Sequence, residues 1–393
     1  HMVDQLTAHA QLGVTLQVSV DGVQAREGQD SACDADDGGV YALAGAALGE
    51  ALAAAVEARR SAGADVEAAS ATFAAPLDEA YAECTLALSP SSESARGLRS
   101  FSLAPYGSSN GGAGRARIGT YQTALTEPFF AELARASGFG LALRKHRGDN
   151  AHHIVESTFK AFARCLRRAL DGALTADEAA AMAAAKAKAL EEVLPSRRGA
   201  RARATKETSV DIALRLDGRG EGSCETGIAT LDAFLETLRE ASGVSATVKA
   251  SGDQWIDDHH TAEDVAITWG QCLGEALGNK AGVNRMGSAV ARRGESEIEV
   301  IMDLSNRPSL VNDLTFRADM LGDLSVEMVD HVLMSLAFNA GITLHVVTRQ
   351  AGPDDMDRLL ACAEALGECL KQCVDVDPRR AGAVASSKGT LSA

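Results

Sequence analysis

Hydrophobic and polar positions alternate strictly over Ser209–Leu216 (SVDIALRL), which places Val210, Ile212, Leu214 and Leu216 on one face. A period of two predicts a half-buried β-strand, and Asp217-Gly218 supplies the turn that ends it. Val244–Ala250 and Glu297–Leu304 read as strands by the same pattern. Between them, Ala262–Leu277 follows a helical period and is entered through the acidic Glu263-Asp264. Thr175–Leu194 (TADEAAAMAAAKAKALEEVL) is almost pure helix former. Pro195-Ser196-Arg197-Arg198-Gly199 then breaks it. These patterns predict a first domain at 1–174, a helical linker at 175–199 and a second domain at 200–393.

The halves repeat one another. Gly13–Val18 resembles Gly243–Val248, and Leu48-Gly49-Glu50-Ala51-Leu52 is identical to Leu273-Gly274-Glu275-Ala276-Leu277. Gly148–Leu166 aligns without gaps on Gly352–Leu370. Self-similarity of this length means that a whole domain was duplicated. Helices alternate with strand pairs, so the expected class is α+β. Each domain would be built of ββαββ-type repeats with helices on one face of a mostly antiparallel sheet.

Length agrees with two domains: 393 residues exceed one ordinary core. The net charge of -16 argues against a nucleic-acid partner. A local group of Arg and Lys can still bind one small anion. Eight cysteines occur without a CxxC pair; Cys362, Cys369 and Cys373 fall at helical spacing and read as reduced packing residues. No apolar run reads as a membrane span, and no signal peptide is visible. A cytoplasmic location is expected, although a transit peptide removed from the N-terminus would leave the same sequence. His1-Met2 reads as a cloning remnant.

Four of the nine histidines form two pairs, each followed by a glutamate: His152-His153-x-x-Glu156 and His259-His260-x-x-Glu263. On a helix, positions three apart share a face. The second His of each pair and its Glu are therefore expected to reach one ion, with the first His directed elsewhere. Imidazole with carboxylate suits Mn, Zn, Fe or Ni.

With these motifs on the page, the sequence resembles the imidazoleglycerol-phosphate dehydratase family, twice over. The second domain carries Arg203-Ala204-Thr205-Lys206-Glu207-Thr208, Thr226-Gly227-Ile228, Asp257-Asp258-His259-His260-Thr261-Ala262-Glu263-Asp264, Gly282-Val283-Asn284-Arg285, Ser305-Asn306-Arg307-Pro308 and Ser386-Ser387-Lys388-Gly389. The first carries Pro76-Leu77-Asp78-Glu79-Ala80 and His152-His153-Ile154-Val155-Glu156, continuing into Phe159-Lys160-Ala161. Each domain lacks what the other keeps. Asp34-Ala35-x-x-Gly38 stands opposite the second His-His-Glu motif, and Met356, Asp357 and Leu360 stand opposite the first. The Ser-x-Arg-Pro motif is Leu88-Ser89-Pro90-Ser91 around its first-domain position.

The resemblance implies one kind of metal site, composite between the two domain types, with two Mn2+ ions per site. It implies the ligands His152, His153, Glu156, His259, His260, Glu263 and His331; opposite His331 the first domain has Pro128. It nominates Lys160, Arg285, Arg307, Ser386 and Lys388 for a substrate phosphate, and Glu207 and Glu156 for proton transfer. One family ligand is missing: Leu-Asp-His-Met-Leu reads Leu231-Asp232-Ala233-Phe234-Leu235, and His9 lies near the first-domain counterpart but out of register. The implied activity is metal-dependent dehydration of a small phosphorylated imidazole, in a large homo-oligomer built from trimers. The alternatives are an impaired pseudoenzyme and a metal-binding structural or storage homologue.

Overall fold

A computed structural model describes residues 1–17, 37–107, 114–193, 197–380 and 382–391. Asp34, Ala35 and linker residues 194–196 lie outside them. The chain divides into two compact units: His1–Phe73 with Ala80–Ala181, and Ala74–Glu79 with Met182–Ala393. The division falls inside the linker helix.

In chain order the main elements are helix α1 (Asp37–Ser61), strands β1 (Ser70–Leu77), β2 (Ala80–Ala87) and β3 (Gly97–Ser102), helix α2 (Thr126–Ser137), strand β4 (Gly140–Arg147), and helices α3 (Ala151–Gly172) and α4 (Ala176–Val193). Then come strands β5 (Arg198–Ala204), β6 (Thr208–Arg215) and β7 (Gly222–Glu225), helix α5 (Ala229–Ser242), strand β8 (Ser245–Gly252) and helix α6 (His259–Leu277). The chain closes with strands β9 (Met286–Arg293), β10 (Ser296–Asp303) and β11 (Ser309–Asn312), helix α7 (Val326–Ala340), strand β12 (Thr343–Gln350) and helix α8 (Asp355–Val374).

Three four-stranded sheets share one plan: β1-β2-β4-β3, β5-β6-β8-β7 and β9-β10-β12-β11. In each, the last strand in spatial order runs parallel to its neighbour: β3 to β4, β7 to β8 and β11 to β12. The repeating unit is therefore three strands, a helix, a fourth strand and a second helix. The second unit carries two such repeats. Among the described residues the first carries one, preceded by α1.

Strand β6 buries Val210, Ile212 and Leu214 and exposes the residues between them, as the alternation predicts. Helix α6 starts at His259, three residues before the expected Ala262, because the Asp257 carboxylate accepts a hydrogen bond from the His259 N–H (3.1 Å). The repeated segments begin helices with the same cap: the Asn150 and Asp354 side chains each accept from the backbone N–H two residues on. Cys362, Cys369 and Cys373 are buried, unbridged residues of α8.

Helix pairs α1/α2 and α6/α7 pack closely, and glycines set the spacing. A Cβ on Gly45 would stand 2.1 Å from the Phe129 carbonyl oxygen, and one on Gly270 2.8 Å from that of Leu336. One expectation needs correcting. Gly38–Ser61, in α1, is long and apolar enough by length and composition to cross a membrane, with a mean hydropathy of 1.6. Its alanines are apolar without being bulky, which hides the run from a search for large aliphatic residues.

Candidate metal and phosphate site

Asp258 sets up the second unit's histidine group. Its carboxylate accepts from the Ser325 N–H (2.6 Å) and hydroxyl (2.8 Å), tying the start of α7 to the start of α6. His331, in the second turn of α7, then faces His259 in the first turn of α6, with ring centroids 5.1 Å apart. His259 Nε2 lies 3.8 Å from Glu263 Oε2. His331 Nδ1 is buried and without a hydrogen-bond partner in the structure. A buried polar atom of this kind calls for a ligand.

His260 turns the other way. Its Nδ1 meets Asp253 at 3.1 Å, and the Asp253 hydrogen bond raises its pKa against the opposing effect of desolvation. The carboxylate fixes Nδ1 as the proton-bearing nitrogen and leaves Nε2 as donor, the usual support for a metal-binding histidine. Glu207, exposed beyond the end of β5, adds its negative field to His260.

The first unit repeats the pairing with different residues. His152 Nε2 lies 2.9 Å from Glu156 Oε2, and Lys160 Nζ lies 3.1 Å from Glu156 Oε1. Burial pushes the Glu156 carboxyl up, but Lys160 and His152 outweigh it and hold the carboxyl below its ordinary value. Glu156 is thus held in its charged form. In both units the first histidine of the pair, which the three-residue spacing had directed elsewhere, lies near the glutamate four residues on. At 3.6 residues per turn both spacings are near neighbours. Helical side chains lean toward the N-terminus, and here the longer spacing aligns the donors.

The first unit also brings in a candidate ligand that sequence reasoning missed. His1 Nε2 lies 3.3 Å from Glu156 Oε2. The donor atoms of His1, His152 and Glu156 all fall within 4.8 Å of one another, a spacing that fits one metal ion. His1 therefore joins His152 and Glu156 in one group. The error came from register. Gly13-Val14 was set against Gly243-Val244, but the left-handed residue closing the short helical turn Leu6–Ala10 is Gln11 (φ 54°), as Gly243 (φ 71°) closes α5. Matching these caps gives an offset of 243 − 11 = 232. His1 then stands opposite Ala233, since 233 − 1 = 232, and buried Leu6 opposite buried Leu238. His1-Met2-Val3 matches the family's His-Met-Leu. The fully buried His9 has no place in the group.

The anion-binding candidates divide into two kinds. Arg285 is buried and bidentate to Asp303 (2.6 and 2.8 Å), and donates to the Ala385 carbonyl (2.7 Å). The Ala385 contact places it beside the loop in which the Ser386 hydroxyl accepts from the Lys388 N–H (3.1 Å). Arg307 is half-exposed. Its Nε donates to Asp78 (3.0 Å), while Ser305 and Thr343 hold its backbone. Asp78 has a left-handed φ of 50°, and its carbonyl accepts from buried His345 at 2.8 Å. The Pro-Leu-Asp-Glu-Ala and Ser-x-Arg-Pro motifs, each surviving once in the chain, therefore meet. Lys388 is exposed, and Lys160 is buried against Glu156.

A family model described as imidazoleglycerol-phosphate dehydratase matches residues 1–166 and 226–370. A relative from Rhodopseudomonas palustris named imidazoleglycerol-phosphate dehydratase is 41% identical over 189 residues, 48% of this chain and 95% of its own length. One from Prochlorococcus marinus with the same name is 40% identical over 189 residues, 48% of this chain and 90% of its own. One from Pisum sativum, named chloroplastic, is 42% identical over 190 residues, 48% of this chain and 67% of its own.

Proposed function

The chain belongs to the imidazoleglycerol-phosphate dehydratase family, a family of hydro-lyases, and from that premise we propose that it dehydrates imidazoleglycerol phosphate to imidazoleacetol phosphate in histidine biosynthesis. The observation that carries this reading is the division of ligands. One domain type offers His1, His152, His153 and Glu156, and the other offers His259, His260, Glu263 and His331. Each working site takes one group from each domain type as copies assemble, in a large oligomer built from trimers. The ligand absent at Ala233 is supplied by His1, which removes the main reason to read the chain as a pseudoenzyme.

The His and Glu donors suit Mn2+, and the clustering of His1, His152 and Glu156 supports that reading. When bound, two such ions polarise the substrate's imidazole ring. The chain's own residues do the rest. Arg307, Lys160, Ser386 and Lys388 bind the phosphate, while Arg285 braces the last two from behind. Charged donors held in place by the fold lower the cost of orienting the substrate. The reaction takes a proton from carbon and returns one, which needs a carboxylate free to titrate. Glu207 is exposed and beside His260, and it moves that proton. Glu156, held ionised by Lys160 and His152, acts as ligand and partner.

The test is turnover of imidazoleglycerol phosphate by purified chain with Mn2+, together with metal content. Activity lost with metal in Glu156→Gln and in Glu263→Gln supports the composite site. No turnover, with metal content unchanged in both variants, overturns it. Light scattering that shows only monomer overturns the assembly.

A further inference from the structure

Lys280 follows α6 in a left-handed conformation (φ 59°) and is only 3% exposed. A non-glycine residue keeps that backbone, and a lysine that burial, only where the surroundings impose them. Its Nζ donates to Asn306 Oδ1 and, at 3.4 Å, to the carbonyl of Gly341, the residue that closes α7. Among the described residues these two neutral oxygens are its side-chain partners, and no carboxylate pairs with it. Asn306 is itself left-handed (φ 58°), and its N–H donates to the same Gly341 carbonyl at 2.9 Å. The buried ammonium thus ties together the turn after α6, the turn after β10 and the end of α7, and the residue after Asn306 is Arg307. The charged groups facing it are Asp303, at the end of β10, and Arg285, which holds both Asp303 oxygens. Arg380, with Asp377 beside it, faces Arg285 from the closing segment.

We propose that Lys280 is a positioning residue that acts through Asn306 to hold Arg307 where it meets the substrate phosphate, and that the hold depends on the charge of Lys280. The inference rests on the assignment of Arg307 to that phosphate. Ser305 and Thr343 fix the Arg307 backbone, and Asp78 fixes its Nε. The bend between Ser305 and Arg307 has Asn306 at its apex, and the ammonium fixes that apex from inside the fold. Burial pushes the Lys280 ammonium down to about 8; Asp303 opposes the fall and Arg285 adds to it. Below that pH the ammonium directs charged hydrogen bonds at both oxygens. Above it the neutral amine has lost the charge that strengthens them, and Arg307 loses its backing. Phosphate binding therefore weakens as the pH rises through that value.

The probe is inorganic phosphate, titrated calorimetrically into the Mn2+-loaded full chain between about pH 7 and about pH 9, with Arg307→Ala marking the site. In the native chain Kd should rise roughly threefold or more across this range. Lys280→Met should bind at the lower pH as weakly as the native chain does at the higher, and should no longer respond to pH. Asn306→Gly keeps the left-handed turn and removes the acceptor, so it should behave alike, and the double variant should add nothing. KM for imidazoleglycerol phosphate should follow the same pattern while kcat does not. A lysine that merely packs would lower the melting temperature in Lys280→Met and leave the pH dependence in place. Should circular dichroism show Lys280→Met unfolded, the native profile and Asn306→Gly decide. A flat native profile, a pH response kept in full by the variants, or phosphate binding unchanged in Arg307→Ala overturns the inference. Phosphate behaving as expected without turnover of imidazoleglycerol phosphate overturns the reaction and leaves the inference standing; turnover with a flat phosphate profile does the reverse.

Discussion

Helices α3 and α8 are the same helix used twice. Both follow a strand, both are capped by an Asn or Asp side chain, and both bury one face on a sheet. At an offset of 354 − 150 = 204, however, His152, His153, Glu156 and Lys160 face Met356, Asp357, Leu360 and Glu364. Lys160 forms an ion pair with Glu156, while Glu364 forms one with Arg293 at 2.9 Å. The charge has reversed and the fold has not. The positions that pack and cap are kept in both copies, and the chemistry survives in one. Helices α6 and α1 show the opposite bias, with His259, His260 and Glu263 on the second-unit copy. Duplicated domains can therefore diverge in their candidate ligands while each keeps the packing that its own core demands.

The largest expected effect comes from breaking this asymmetry at the ligands. Glu156→Gln and Glu263→Gln should each lower kcat/KM by at least about 100-fold, because even supporting residues behind a metal ligand are worth roughly 10–100-fold. Leu360→Gln, at the dead counterpart, should stay within about twofold, as ordinary surface changes do. A large loss at Leu360 would show that both copies are live. His1→Ala comes next. It should cut bound metal and activity by about tenfold or more, while Ala233→His restores nothing, since its own helix partners at Met356 and Leu360 are gone. Metal analysis beside turnover reads both.

Arg307→Ala should raise KM more than it lowers kcat, with a loss of about 1.5–3 kcal/mol for a charged hydrogen bond to phosphate. Ser91→Arg, its counterpart in the first domain, should gain nothing in steady-state kinetics. The smallest effects should be symmetrical. Asn150→Ala and Asp354→Ala each remove a helix cap worth about 1 kcal/mol. Hydrogen exchange in the first turns of α3 and α8 should rise equally, and unequal fraying would show that the two caps have diverged along with the chemistry.

Much of the site was legible in the sequence because ligands and caps sit in contiguous runs. The His-His-x-x-Glu motifs and the repeat of 148–166 on 352–370 are local patterns, and helix geometry converts local spacing into proximity. What escaped was whatever depended on distant residues. His1 sits 151 positions from His152, and a run of similar residues at Gly13-Val14 pulled its alignment two places off. Arg285 looked like any basic residue of a family motif until Asp303 was seen to hold both its arms.

By itself, the sequence determined the class of the fold, its duplication, the elements that bear the candidate ligands and the fact that the two copies differ in which motifs they keep. Those follow from periodicity and from residue type, which act over a few turns or strands. The tertiary structure decided that His1 joins His152 and that Arg307 is aimed by Asp78. Each of these is a contact between segments far apart in the chain. Packing and hydrogen bonding across such separations are set by how whole elements dock, and no local pattern records that.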